Sequence, residues 1–87
     1  MKYKTVPGVV PASVCGHYYL VTADLTLEIN EITAFFWKEL ENGASAEDLM
    51  IKAGDSYEIQ DADLLAKDID ALLDSLRQQH LIMRYRS

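Results

Sequence analysis

The 87-residue chain predicts an α+β domain, a three-stranded antiparallel sheet followed by three helices in a winged helix-turn-helix-like arrangement. Three observations predict it. β-branched and aromatic residues crowd the first thirty positions, apolar residues recur at helical spacing from Asn30 onward, and the four glycines stand singly at the boundaries. With 49% hydrophobic residues the chain can close one modest core and not two, so residues 1–87 are expected to form a single domain.

The strands come first. Val9-Val10, Ser13-Val14-Cys15 and Tyr18 to Thr22 read as extended segments, reversed at Gly16-His17 into an antiparallel pair. Pro7 and Pro11 lack a backbone donor, which places the first of these strands at an edge or breaks it. Cys15 is expected to be a small, half-buried strand residue. Asp24-Leu25-Thr26-Leu27-Glu28-Ile29 then alternates polar and apolar residues. Leu25, Leu27 and Ile29 share the buried face of this third strand, and Thr26 and Glu28 share the other.

At Asn30 the period changes. Asn30 is a good N-cap for a helix that turns Ile32, Phe35, Phe36 and Leu40 inward, with Trp37 pointing elsewhere, over the sheet or half exposed. Asn42-Gly43 closes that helix. Ser45-Ala46-Glu47-Asp48 reads as a capping box with Asp in place of Glu or Gln. It opens a short helix that buries Leu49, Met50 and Ala53 and stops at Gly54-Asp55. Asp61 or Asp63 caps the third helix, whose stripe is Leu65, Ile69, Leu72 and Leu76, widened by Leu64 and Leu73. Leu81-Ile82-Met83 forms a short final strand or a docked tail.

Charge narrows the function classes. The chain carries a net −6, and all 14 carboxylates lie between Asp24 and Asp74, where only Lys38, Lys52 and Lys67 oppose them. Between residues 61 and 76, Asp61, Asp63, Asp68, Asp70 and Asp74 face Lys67 alone, so a DNA-reading third helix would meet phosphate with like charge. A DNA-binding regulator and a winged-helix module for a folded protein partner are the alternatives to the reading developed below. Catalytic and metal signatures are missing. His17 and Cys15 supply too few ligands for zinc and lack a third orienting group. The aspartates two apart on the third helix point in different directions, and no glycine-rich phosphate loop occurs. No cofactor, metal or enzymatic activity is expected. A single cysteine fits a reducing compartment, and with no apolar run long enough for a membrane span the chain reads as cytoplasmic.

The third strand runs straight into a helix, so its outer backbone groups are expected to lack a partner within the chain. With the third helix alongside, that edge would border an apolar groove with acidic rims. An extended peptide could add a strand there. Leu27→Pro would block such pairing if that amide faces the open edge. The same edge could pair with a second copy of the chain.

Ile29-Asn30-Glu31-Ile32-Thr33-Ala34-Phe35-Phe36-Trp37 resembles the segment "L-N-E-T-A-A-F-I-W" of the PqqD-like proteins. Gly43, Ser45-Ala46-Glu47-Asp48-Leu49 and Tyr57 follow at similar spacing, and Asp68-Ile69, Leu72-Leu73, Leu76 and Leu81-Ile82 resemble the family's ending. Upstream, Gly16-His17-Tyr18-Tyr19-Leu20-Val21 resembles its second strand. The match spans roughly residues 8–83, which marks out the expected core of the domain. Ile32 replaces the usual Thr, and His80 stands where the family often has Gly, although His reaches a left-handed cap conformation only at some cost. The resemblance implies a RiPP recognition element, a non-catalytic peptide chaperone. It would hold the leader segment of a ribosomally made precursor peptide as an added strand and present the rest to a modifying enzyme, often a radical S-adenosylmethionine protein. Carried onto this chain, the peptide edge is Leu25, Thr26, Leu27, Glu28 and Ile29. The helix wall is Leu65, Asp68, Ile69 and Leu72, with Leu73 beside them. Glu28 and Asp68 are then available to basic leader residues.

Overall fold

The structure, a computed structural model, describes residues 1–86. In chain order it contains β1 (Lys2–Thr5), β2 (Val10–Val14), β3 (His17–Val21), β4 (Thr26–Ile29), α1 (Glu31–Glu41), α2 (Ala46–Ser56), α3 (Ala62–Gln78) and β5 (Ile82–Tyr85). The expected three-stranded antiparallel sheet is β2-β3-β4, with β3 in the middle, and three helices follow it. A second antiparallel pair, β1 with β5, joins the two ends of the chain and has no counterpart in the sequence reading at its β1 side. Lys2-Tyr3-Lys4-Thr5 is too short to show a period by itself. It becomes a strand because β5 and the Tyr3–Ala44 bridge satisfy its backbone.

Cys15 and Gly16 make the first reversal. Both have positive φ, 50° and 80°, as a two-residue type I′ turn requires, and Val14 lies opposite His17. Cys15 is therefore an exposed turn residue and not the half-buried strand residue expected. The β3–β4 turn uses Thr22, whose Oγ1 accepts from the Asp24 and Leu25 amides. This local bonding holds Leu25 in the turn, 47% exposed, so β4 starts at Thr26 and not at Leu25.

The helix ends follow their cap chemistry. Asn30 Oδ1 accepts from the Thr33 amide at 2.8 Å. Ser45 and Asp48 bond reciprocally, the Ser45 amide donating to Asp48 Oδ2 and the Asp48 amide to Ser45 Oγ. The Ser45 backbone bond, then its side-chain bond, hold the Asp48 carboxyl below its ordinary pKa because both favour the charged form. Asp61, rather than Asp63, caps α3. α2 does not stop at Gly54-Asp55. It runs to Ser56 and ends where Tyr57 turns extended. At the end of α3 the Leu81 amide reaches Leu76 O and the His80 amide reaches Arg77 O, both at 3.0 Å. This is a Schellman closure with His80 in the left-handed position, φ 61°.

The core gathers Leu20 from β3, Phe36, Trp37 and Leu40 from α1, Leu49 and Ala53 from α2, Ile69, Leu73 and Leu76 from α3, and Leu81 and Ile82. Trp37 is 1% exposed, which corrects the half-exposed alternative, and its Nε1 has no hydrogen-bond partner within the described residues. Phe35 lies at the core margin with its ring edge-on to Tyr57, centroids 5.3 Å apart. Leu73 is core, as its buried helical position dictates. Leu64, expected to widen the stripe, is 55% exposed. No described helix is long and apolar enough to cross a membrane.

Candidate functional site

Strand register decides which backbone groups the β4 edge offers. Tyr18 lies opposite Ile29, Tyr19 opposite Glu28, Leu20 opposite Leu27 and Val21 opposite Thr26. The Thr22 amide donates to Leu25 O at 2.8 Å, so that pair is hydrogen-bonded across the ladder. Antiparallel pairs alternate between bonded and non-bonded. Leu27 and Ile29 therefore turn their N–H and C=O toward β3, and Thr26 and Glu28 turn theirs away from it. Among the described residues no other strand pairs with β4, so the outward groups of Thr26 and Glu28 form an open edge.

The opposite edge of the same sheet is different. By the same alternation the outward residues of β2 are Pro11 and Ser13, and Pro11 has no N–H to give. One edge is thus blunted and the other is not. The N-terminal strand leaves β4 uncovered because it pairs with β5 instead. Leu27 does not donate at the open edge, so Leu27→Pro would damage the sheet rather than the edge. This corrects the expectation for that residue.

Beside the C-terminal end of β4 lies a groove of about 270 Å³. Asn30, Ile32, Thr33 and Phe36 from the start of α1 form one side, and Leu65, Asp68, Ile69 and Leu72 from α3 the other. All four α3 residues named from the sequence line it. Ile69 is its buried floor, 1% exposed, whereas Leu65 and Leu72 are half-buried and Asp68 is exposed at the rim. On β4, Leu27 and Ile29 are half-buried against the core, and Thr26 and Glu28 are exposed on the outer face. Glu28 Oε2 meets His17 Nδ1 at 3.0 Å across the sheet, with both side chains well exposed.

Sequence reasoning missed the α1 side of this groove. From the sequence Asn30 is a cap and Ile32 and Phe36 are core, which they also are. Only the docking of α1 against α3 turns their outer atoms into a wall. It also missed a second apolar hollow of about 390 Å³, where Ile32, Leu65 and Asp68 continue the groove toward Tyr57, Ile59 and Leu64. Nothing in the sequence marked Leu64 as part of it, because its 55% exposure is decided by how α3 packs. A larger hollow, about 460 Å³, lies away from β4 between α3 and the terminal strands, and its Asp74 and Arg77 pair with each other at 3.1 Å. Among the described residues no group of three or more His, Cys, Asp or Glu is placed to hold a metal ion.

The family model for coenzyme PQQ synthesis protein D (PqqD) matches residues 18–82, from β3 to the start of β5. The chain belongs to the PqqD family. The resemblance carried by the Ile29–Trp37 segment and the α3 pattern is borne out. Two solved structures are similar to this PqqD-family chain. One is described as "Lasso peptide synthetase B1 complexed with the leader peptide", 20% identical with a TM-score of 0.77, covering 94% of this chain and 98% of that one. The other is described as "TbiB1 in Complex with the TbiA(beta) Leader Peptide", 20% identical with a TM-score of 0.78, covering 97% and 99%. At this identity the likeness shows the shared α+β fold. No curated protein matches the chain.

Proposed function

We propose that the chain binds the leader segment of a ribosomally made precursor peptide by β-strand addition at β4, and delivers the peptide to a modifying enzyme without doing chemistry itself. The observation that carries this reading is the bare β4 edge. Thr26 and Glu28 present paired donors and acceptors there, next to a groove whose α3 wall is apolar with Asp68 at its rim. Membership of the PqqD family supports it, as do two structural neighbours that were solved with leader peptides bound. The exposed Asp61, Asp63, Asp68, Asp70 and Asp74 of α3 weigh against a duplex ligand.

On this reading Leu27 and Ile29 shape the strand face, Leu65 and Leu72 meet the peptide, and Ile69 supports them from below. Leu25 lies just beyond the strand, at the end of the peptide path. We read the arrangement of sheet and helices as a winged helix turned to peptide recognition. A radical S-adenosylmethionine protein in the cytoplasm is the partner enzyme we favour. A second copy would compete with the peptide for the same edge.

Amide hydrogen exchange with and without a precursor peptide tests the proposal. Exchange at Thr26 and Glu28 should slow when the peptide is added, because their amides gain partners. Leu27 and Ile29, already bonded to β3, should change little. Equal exchange at Thr26 and Glu28 with saturating peptide would refute strand addition there.

A further inference from the structure

We infer that a hollow beneath β2, against a different face of α1 from the groove, binds a carboxylate that carries a compact apolar group. The site is separate from the one described above. Apart from Ile29 it shares no residue with the groove or the β4 edge.

Its walls follow from strand register. Pro11 and Ser13 lie opposite Leu20 and Tyr18, and opposed residues share a face, so both look toward the helix layer as the buried Leu20 does. Pro11 and Ser13 are nevertheless exposed, because the helices cover β3 and stop short of β2. What remains is a hollow of about 210 Å³, lined by Pro11, Ser13 and Tyr18, by Ile29 at the end of β4, and by Ala34, Trp37 and Lys38 of α1.

Two features select its ligand. The first is charge. The groove, the hollow that continues it and the one beside the terminal strands all carry Asp or Glu on their linings. This one has Lys38 and no carboxylate, in a chain where acids outnumber cations 14 to 8. Lys38 is exposed and belongs to no ion pair among the described residues. Glu31 borders the next hollow along α1 together with Lys38 and does not pair with it. The second feature is a donor without an acceptor. Trp37 is 1% exposed and its Nε1–H has no hydrogen-bond partner among the described residues, although a buried indole N–H normally has one.

Lys38 and Trp37 can only donate, and the Ser13 and Tyr18 hydroxyls can donate as well. The lining therefore suits a negatively charged acceptor, while Pro11, Ile29 and Ala34 suit an apolar body. A volume of about 210 Å³ is below that of ordinary small-molecule pockets, so the body is the size of one side chain. A free apolar acid and the C-terminal residue of a polypeptide share this chemistry. Ser13 also has main-chain groups free at the β2 edge, which a polypeptide can bond in addition, so the chain end is the source we assign.

Trp37 is the sole tryptophan of the chain, so its emission and its indole N–H resonance report the site directly. The probes are acetyl-Gly-Gly-Phe with a free carboxylate, the same peptide as its C-terminal amide, and 3-phenylpropionate. The free-carboxylate peptide should shift the Trp37 emission and move the indole resonance downfield as Nε1 gains an acceptor. The amide should bind at least about tenfold more weakly. Lys38→Met keeps the apolar stem of an exposed residue, so it should hold its Tm and bring the acid down to the amide's affinity. Ala34→Leu, which fills the hollow, should abolish binding of both acids. Equal binding of acid and amide, unchanged acid binding by Lys38→Met, or no response of Trp37 to any probe would overturn the site. Tighter binding of 3-phenylpropionate than of the peptide would overturn the chain end in favour of a free acid. Exchange at Thr26 and Glu28 with a precursor peptide is read independently, so failure here leaves the β4 reading standing, and the reverse holds too.

Discussion

Two proline substitutions one residue apart separate the edge from the sheet. Leu27 lies opposite Leu20 in a bonded pair, and Leu20 is 1% exposed. Leu27→Pro removes the donor and leaves a buried carbonyl unpaired, which costs about 1–3 kcal/mol, with lost packing of the half-buried Leu27 in addition. For a domain of this size each kcal/mol lowers Tm by roughly 4–8 °C, so a fall of about 10–20 °C is expected. Glu28→Pro removes an outward N–H that bonds nothing among the described residues, and an exposed contact to His17 worth at most about 1 kcal/mol. The Glu28→Pro protein should therefore keep its circular dichroism spectrum and most of its Tm. Its affinity for a leader peptide should fall at least about tenfold. One main-chain bond is lost, worth about 1 kcal/mol, and the proline ring stands in the path of the incoming strand. Thermal melts and fluorescence titrations measure both. If Glu28→Pro unfolds as Leu27→Pro does, the assigned alternation of the ladder is wrong. If it binds peptide like the parent protein, the peptide does not pair with β4.

Other outcomes follow from local chemistry. His80→Gly should raise stability by about 1 kcal/mol, because glycine enters the left-handed position at φ 61° without the Cβ clash, and an unchanged or lower Tm would contradict that account. Ser45→Ala should cost about 1 kcal/mol by opening the reciprocal cap of α2. The Asp48 carboxyl is depressed in the folded state, so its contribution is present above its unfolded value near 3.9 and is lost as pH falls through the lower folded value. Asp48→Asn removes the carboxylate that the Ser45 bonds favour, so the Tm difference between the parent protein and Asp48→Asn should shrink as pH falls below about 4, and a constant difference would argue that the cap bonds do not favour the carboxylate. Asp68→Lys should weaken a basic peptide more than a neutral one, with the gap closing at high salt, and equal losses would remove electrostatics from recognition.

Much of the architecture was legible because it rests on local rules. Asn30, Ser45 and Asp61 act within a few residues of themselves, so the helix starts could be read directly. The alternation from Asp24 to Ile29 and the stripe Leu65, Ile69, Leu72 and Leu76 carried the strand and the α3 face, because periods of 2 and 3.6 are properties of the chain itself. Local competition also explains the errors. Thr22 captured the Leu25 amide, and Cys15 took up the left-handed turn that the twist of the hairpin demands. Nothing in Lys2-Tyr3-Lys4-Thr5 announced β1, because its partners β5 and Ala44 are distant in sequence.

The sequence by itself determined an acidic α+β domain with no catalytic signature, a strand ending at Ile29 and a helix carrying an apolar stripe with Asp68 beside it. Only the tertiary structure decided that β1 closes on β5 and leaves β4 bare, and that Thr26 and Glu28, not Leu27, face outward. It alone joined Ile32 to Leu65 in one groove. The reason is physical. Side-chain periodicity is a one-dimensional property of the chain, whereas the free face of a backbone amide depends on which strand pairs first, and a groove exists only where two separately formed elements stop short of full contact.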